Sequence, residues 1–436
     1  MSDDDADRAG SDPLADPTLP GMRRDGYVFP DYENYCFANV PGTVADVLGV
    51  ESGRRLPDDA VPSGDYSTVL VVLVDGFGLD QFRTRRASIP LLDSLATAGT
   101  STPLTSVYPS ETAAAITSVH TGATPAEHGL LGWNLRLRDH DLTCESLPFL
   151  AREGGDLGEA TSGEVTGDDL FDADPVYRDL SAAGVDSHVV QHTSIADGPY
   201  SEAATAGATV HGVESLPDLA VTARRQVETT DEPTYVYAYW SDVDSTSHAR
   251  GTDSDRYRAE LETACATIER ELARIDPSAA EDTLVVLTAD HGHLNADPAA
   301  AVDLESYPEV WNARDHHRTG KPVLPTGGPR NVHLHLRDGA SVQRARETLV
   351  EASFDARVLT GTEALEAGLF GPGEPSDLLR ARVGDLVVVP RDRDVWFAGE
   401  QRKLDFVGTH GGQSPEEMYV PFLAADLETW QASRTA

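Results

Sequence analysis

The chain is nearly devoid of lysine, poor in cysteine and without a long apolar run, and each shortage closes off a class of function. Only Lys321 and Lys403 are lysine, so the 34 basic residues are almost all arginine, set against 73 Asp and Glu for a formal net charge of −39. A basic face able to release counterions from duplex nucleic acid is therefore not expected. Carboxylates at this density stay hydrated, and their mutual repulsion is screened, in concentrated salt, so the composition reads as that of a halophile-type proteome. Cys36, Cys144 and Cys265 are far apart and show no CxxC spacing. That excludes a disulfide framework and a thiolate zinc knuckle, and leaves the three as small core residues. No stretch approaches the roughly 20 apolar residues of a membrane span. The N-terminal MSDDDADRAGSDPLADP is acidic where a secretion signal is basic, and Arg23-Arg24 is not followed by the apolar stretch of an export signal. The expectation is a cytoplasmic protein with no membrane partner, whose oligomeric state the sequence does not address.

What is present is a globular composition, 40% hydrophobic and 25% charged over 436 residues, enough for one large domain carrying an insertion. Residues 1–25 read as a disordered acidic tail and 26–436 as the catalytic domain. The clearest strand is 68–74, TVLVVLV, a continuous apolar run of the kind buried on both faces of a parallel sheet. It stops at Asp75-Gly76. Two more, 234–240 and 283–288, lead into Ser-Asp-Val-Asp and Ala289-Asp290-His291. Helical periodicity over 89–98 and 255–275 completes a strand–helix–strand order, which predicts an α/β fold with a mainly parallel sheet covered on both faces. In such a sheet the carboxyl ends of the strands gather along one edge, where ligands bind, so the three acidic strand ends can meet. The stretch 294–405 reads as a smaller inserted α+β lobe, with strands at 331–336 and 385–390 around a helix at 341–352.

Asp290-His291 sets a carboxylate beside an imidazole, Asp244 and His248 give the same pair within one loop, and Thr409-His410-Gly411-Gly412 adds a histidine in a turn that backbone can approach closely. This mixture of oxygen and nitrogen ligands suits zinc well and manganese less well. In residues 107–122, VYPSETAAAITSVHTG, Ser110, Glu111 and Thr112 open an Ala-rich helix. A hydroxyl there faces the free N–H groups and positive dipole end that favour an anion, although a capping residue would satisfy the same pattern. Asp242 could orient a histidine ligand. Asp315-His316-His317-Arg318 reads as a turn in which Arg318 could meet a phosphate; His120 and His128 flank the helix that Thr112 opens, and His128 reads as structural.

These segments, VLVDGFG, YPSETAAAITSVHTG, TPAEHGLLGW, DSTSHARG, TADHGH and GTHGG, stand in the order found in the alkaline phosphatase superfamily, and the chain resembles its type I phosphodiesterase/nucleotide pyrophosphatase branch. The resemblance implies a three-layer αβα sandwich and two divalent metal ions, typically zinc, with manganese possible. One metal would be held by Asp244, His248 and His410, the other by Asp75, Asp290, His291 and the hydroxyl of Thr112. It further implies a small phosphate ester or nucleotide as substrate and Thr112 as the nucleophile, passing through a covalent phospho-threonine. Where that branch carries an asparagine three residues after the nucleophile, this chain has Ala115. Helix N–H groups or Asn134 would then hold the phosphate oxygen. Metal-dependent phosphomutases share the fold and the two-metal layout, but insert a large domain soon after the nucleophile. Here the larger insertion follows His291, which favours a hydrolase, diesterase ahead of phosphomonoesterase. A sulfatase is disfavoured, because no cysteine stands near Thr112.

Overall fold

The computed structural model describes residues 19–152, 154–229, 232–352, 355–396 and 405–434. Most of the expected acidic tail lies outside the described residues. Its last part does not read as expected, since Met22–Arg24 pairs antiparallel with Tyr27–Phe29.

Residues Thr68–Val74 form the central strand of a seven-stranded sheet, and all seven are buried. A run of β-branched and leucine side chains with no polar alternation can only be satisfied between two covering layers. Its neighbours are Thr283–Thr288 on one side and Thr234–Trp240 on the other, both parallel to it. Asp186–His192 and Thr209–Val213 extend the sheet in parallel beyond Thr234–Trp240. On the opposite flank Tyr419–Asp426 runs antiparallel, followed by Thr100–Thr105 at the edge. The three strands that lead into Asp75, Asp244 and Asp290 are thus adjacent at the middle of the sheet and point the same way. Helices Leu216–Glu228, Asp255–Leu272 and Pro90–Ala98 cover one face, and Thr112–Thr121 with Val40–Val47 and Val176–Ala182 covers the other. The result is the three-layer α/β sandwich with a mainly parallel sheet that the strand and helix patterns predict. The three cysteines are free and buried, as small core residues. Among the described residues no helix is long and apolar enough to cross a membrane.

The smaller lobe departs from the single insertion expected at 294–405. Its sheet also has seven strands, all antiparallel, and four of them (Thr326–Gly328, Asn331–Leu334, Ala356–Thr360 and Leu386–Pro390) fall in that range. The other three, Asn134–Leu137, Leu142–Glu145 and Leu150–Ala151, come from the segment after the Thr112 helix. A hairpin too short to be stable alone completes its pairing by adding to the open edge of the lobe sheet. The lobe is therefore tied to the Thr112 side of the molecule as well as to the His291 side.

Candidate functional site

Asp75 follows the central strand directly, and its backbone N–H donates to the carbonyl of Trp240. This fixes the position of its carboxylate: Oδ2 accepts from the Tyr239 hydroxyl, and Oδ1 lies 3.4 Å from His291 Nε2. Asp290 is fully buried, accepts from Gly76 N–H at 3.1 Å through Oδ1, and holds Oδ2 3.3 Å from His291 Nε2. Thr112 is the first residue of its helix, with Glu111 at the N-cap making no side-chain capping bond. The capping alternative is thereby set aside: the Thr112 hydroxyl Oγ1 instead lies 3.0 Å from His291 Nε2. One imidazole nitrogen thus faces two carboxylates and the hydroxyl.

The second cluster adjoins the first. Asp244 and His248 lie not in a loop but four residues apart on helix Asp242–Arg250, one turn apart on the same face. His248 Nε2 is 3.5 Å from Asp244 Oδ1 and 3.2 Å from His410 Nε2. His410 stacks on His291 with ring centroids 3.7 Å apart, which joins the two clusters. In three of these imidazoles Nδ1 faces a backbone carbonyl: Gly408 O at 2.7 Å for His248, Gly292 O at 3.1 Å for His291, and Ser110 O at 3.1 Å for His410. That contact places the ring proton on Nδ1 and leaves each Nε2 with a lone pair turned inward, the tautomer of a metal-ligating histidine.

The ligand atoms of Asp75, Asp290 and His291 lie within 4.8 Å of one another, as do those of Asp244, His291, His293 and His410. Asp75 Oδ1 and Asp290 Oδ2 are buried and have no hydrogen-bond partner among the described residues. Two buried, unsatisfied carboxylate oxygens beside an imidazole lone pair are costly in a neutral interior and are the donor set a divalent cation satisfies. The residues present therefore fit two divalent metal ions. The electrostatics agree. Burial, reinforced by Asp290 and Asp244 nearby, pushes the Asp75 carboxyl well above its usual range. Burial also acts to raise Asp244, but the imidazoles of His248, His293 and His410 overcome it and hold that carboxyl well below the usual range. Burial, with His291 and His248 alongside, keeps His410 far below an ordinary imidazole and hence neutral.

Beside Thr112 opens a cavity of about 530 Å³, within the range of small-molecule sites, lined by Trp133, Tyr200, Tyr237, Phe406 and others together with Asp75, Asp244 and His410. Neither of the two weaker substrate-binding expectations lies there. Asn134 is buried in the lobe sheet, where its side-chain amide donates to the Gly327 carbonyl. Adjacent residues of a strand point to opposite sides, so it is Trp133 that lines the cavity. Arg318 is exposed and its guanidinium reaches the Asp139 carbonyl in a surface turn. Ala115 is buried in the main core cluster and does not line the cavity, whereas its neighbour Ile116 does. Asp242 is exposed and orients no histidine. His128 is buried and hydrogen-bonds with Ser118, while His120 pairs with Tyr177 and also lines the cavity.

The sequence reading missed three groups. His293 stands two residues past His291 in the same TADHGH segment, and its spacing in an extended chain was the available signal. Tyr239, on the face of its strand shared with Tyr237, secures Asp75. Arg330 carried no motif. It is fully buried and bidentate to Glu417, with Nε–Oε1 at 2.9 Å and Nη2–Oε2 at 2.8 Å. Glu417 in turn accepts from Gly412 N–H at 2.8 Å, and Thr409 donates to Asp394 beside the same guanidinium. This lobe arginine thus braces both sides of His410. Arg330→Met should cost about 3–5 kcal/mol in urea unfolding, because Glu417 is left charged and buried. A loss within about 0.5 kcal/mol, the scale of an ordinary surface substitution, would remove the brace from the account.

None of the curated proteins compared matches this chain. Solved structures do. Murine ectonucleotide pyrophosphatase/phosphodiesterase 5 superposes with a TM-score of 0.61 at 17% identity, over 82% of this chain and 87% of that one. An inactive threonine-to-alanine variant of it in complex with AMP gives a TM-score of 0.62 at the same identity and coverage. Phosphonoacetate hydrolase from Sinorhizobium meliloti 1021, in complex with phosphonoformate, gives 0.59 at 17% identity over 88% of this chain and 98% of that one. Residues 69–413 match the family model described as type I phosphodiesterase / nucleotide pyrophosphatase. With that match spanning the strand of Asp75, the Thr112 helix and the His410 turn, the chain belongs to the type I phosphodiesterase / nucleotide pyrophosphatase family of metal-dependent hydrolases.

Proposed function

We propose that this chain hydrolyses a small phosphodiester or phosphoanhydride in two steps, with Thr112 as the nucleophile and the 530 Å³ cavity receiving the leaving group. The observation that carries the reading is the Thr112 hydroxyl, 3.0 Å from His291 Nε2 at the junction of two clusters of ligand atoms. Asp75, Asp290, His291 and Thr112 would hold one cation, and Asp244, His248 and His410 the other; the N and O donors favour zinc over manganese. When bound, such a pair supplies the positive charge that lowers the pKa of the threonine hydroxyl, the departing oxygen and water.

The residues of the chain do the rest. Thr112 Oγ1 attacks phosphorus, forming a Thr–O–P bond as the bond to the leaving oxygen breaks. That oxygen leaves on the Asp244, His248 and His410 side. The proton lost by Thr112 ends on that departing oxygen; water then attacks phosphorus in line, the Thr–O–P bond breaks, and one proton of the water passes to Thr112 Oγ1 and restores the hydroxyl while its oxygen stays on the released phosphate. Free N–H groups in the first turn of the Thr112 helix face the non-bridging oxygens and hold them without a side-chain amide. Trp133, Tyr200, Tyr237 and Phe406 give the leaving group a largely aromatic enclosure. The AMP and phosphonoformate bound by the two relatives support a nucleotide or comparably small phosphoryl compound.

The test is a hydrolysis screen of the purified chain in concentrated salt, the condition its charge of −39 suits, with zinc and then manganese. A chromogenic diester or a nucleoside triphosphate should turn over faster than a chromogenic monoester. A clear preference for the monoester would overturn the diesterase reading.

A further inference from the structure

Three histidines of the site have Nδ1 on a carbonyl, and the fourth does not. His293 is buried, its Nδ1 has no hydrogen-bond partner among the described residues, and its Nε2 lies 2.8 Å from Asp244 Oδ1. A buried N–H without an acceptor is more costly than a buried lone pair without a donor. The proton of His293 therefore resides on Nε2 and is donated to Asp244, the opposite tautomer to its three neighbours. The same Asp244 Oδ1 is the oxygen that faces His248 Nε2 at 3.5 Å and His410 Nε2 at 3.7 Å.

Two glycines make room for this contact. Gly76 adopts φ +70°, and a Cβ there would sit 2.7 Å from His293 Nε2 and 3.2 Å from the Cα of Asp244. A Cβ at Gly408 would sit 3.1 Å from His293 Nδ1. Both turns are built so that an imidazole can lie between the central strand end and the Asp244 helix. The carboxylate is then held from behind while its second lone pair on Oδ1, and all of Oδ2, remain for a cation.

We propose that His293 is a positioning residue for the Asp244, His248 and His410 end of the site, fixing the Asp244 carboxylate by a hydrogen bond rather than binding the cation itself. The inference rests on the reading of these clusters as metal sites. It predicts that affinity at this end, not the chemistry at Thr112, depends on a donor at position 293.

The experiment is zinc titration of the metal-depleted full-length chain against a chromogenic chelator, for wild type, His293→Leu and His293→Gln, with thermal melting of the metal-free proteins. The leucine variant should weaken one of two zinc sites by about 10–100-fold, the scale for losing an outer partner of a metal ligand. Glutamine, whose amide still donates, should recover most of that loss, and in an Asp244→Asn background the leucine change should add nothing further. Should the leucine chain fail to fold, His293→Asn, too short to reach Asp244, replaces it in the same comparison. Unchanged affinity in the donor-less variant overturns the inference. So does a cobalt-substituted visible spectrum that changes with either variant while glutamine fails to rescue, since that marks His293 as a direct ligand. Wild-type protein that binds no zinc at all would instead overturn the metal-site reading on which the inference depends.

Discussion

Thr112→Ala should lower kcat by at least about 10⁴-fold, because on the proposed mechanism the variant removes the atom that forms the covalent bond rather than one that adjusts its environment. Zinc content should stay close to two per chain. Asp75, Asp290 and His291 still surround the first position. The fold should hold as well: Glu111 occupies the N-cap, so alanine at the first helical position removes no capping bond. The measurement is turnover of the best substrate from the screen, beside metal analysis of the same preparation. Turnover near the wild-type rate in a fully loaded variant would strike Thr112 from the mechanism and return it to the role of a helix-opening residue.

Asp290→Ala should lose one metal and the activity together. Its Oδ2 faces His291 at 3.3 Å and its Oδ1 is anchored on the Gly76 N–H, and alanine offers neither oxygen. Activity should fall by more than about 100-fold, the loss already seen when only an outer partner of a ligand is removed. The metal-free variant should nonetheless melt no lower than metal-free wild type. Removing one of the two carboxylates that raise Asp75 relieves like-charge repulsion in a buried place, so the Asp75 carboxyl should move back toward its usual range. Two zinc ions per chain in Asp290→Ala would contradict the assigned donor set.

The strands that bear the site were legible because they are the most strongly patterned segments of the chain. Residues 68–74, 234–240 and 283–288 are uninterrupted apolar runs, and each forms its strand over the full run. Their adjacency at the centre of the sheet, which brings Asp75, Asp244 and Asp290 together, followed from parallel topology and the segments' family order. The lobe was only half legible. Strands 331–334 and 386–390 carry their own apolar signal. The hairpin at 134–145 is short and interrupted by Arg136, Arg138 and a run of polar residues, so only its pairing with a distant edge defines it. Asn134 and Arg318 failed for a related reason: each has the right chemistry, but the direction of a side chain in a lobe strand or turn is set by long-range pairing. His293 and Arg330 mark the other limit. Their roles lie in contacts with residues far away in sequence, Asp244 and Glu417; the spacing from His291 marks His293 as a candidate without naming its partner, and nothing local marks Arg330.

The brace on His410 has a consequence for how the protein becomes competent during synthesis. Asp75, Thr112, Asp244 and Asp290 can all be in place before residue 300 has been made, yet one half of the ion pocket waits for an imidazole at position 410. That imidazole is seated by an arginine at 330 and a glutamate at 417. On the proposed mechanism, a chain that stops short of residue 410 would carry the Thr112 hydroxyl without the imidazole on the side where the departing oxygen leaves. By the proposed route, turnover would begin only when the segment around His410 has been threaded back against the lobe, closing a centre whose first carboxylate stands at residue 75.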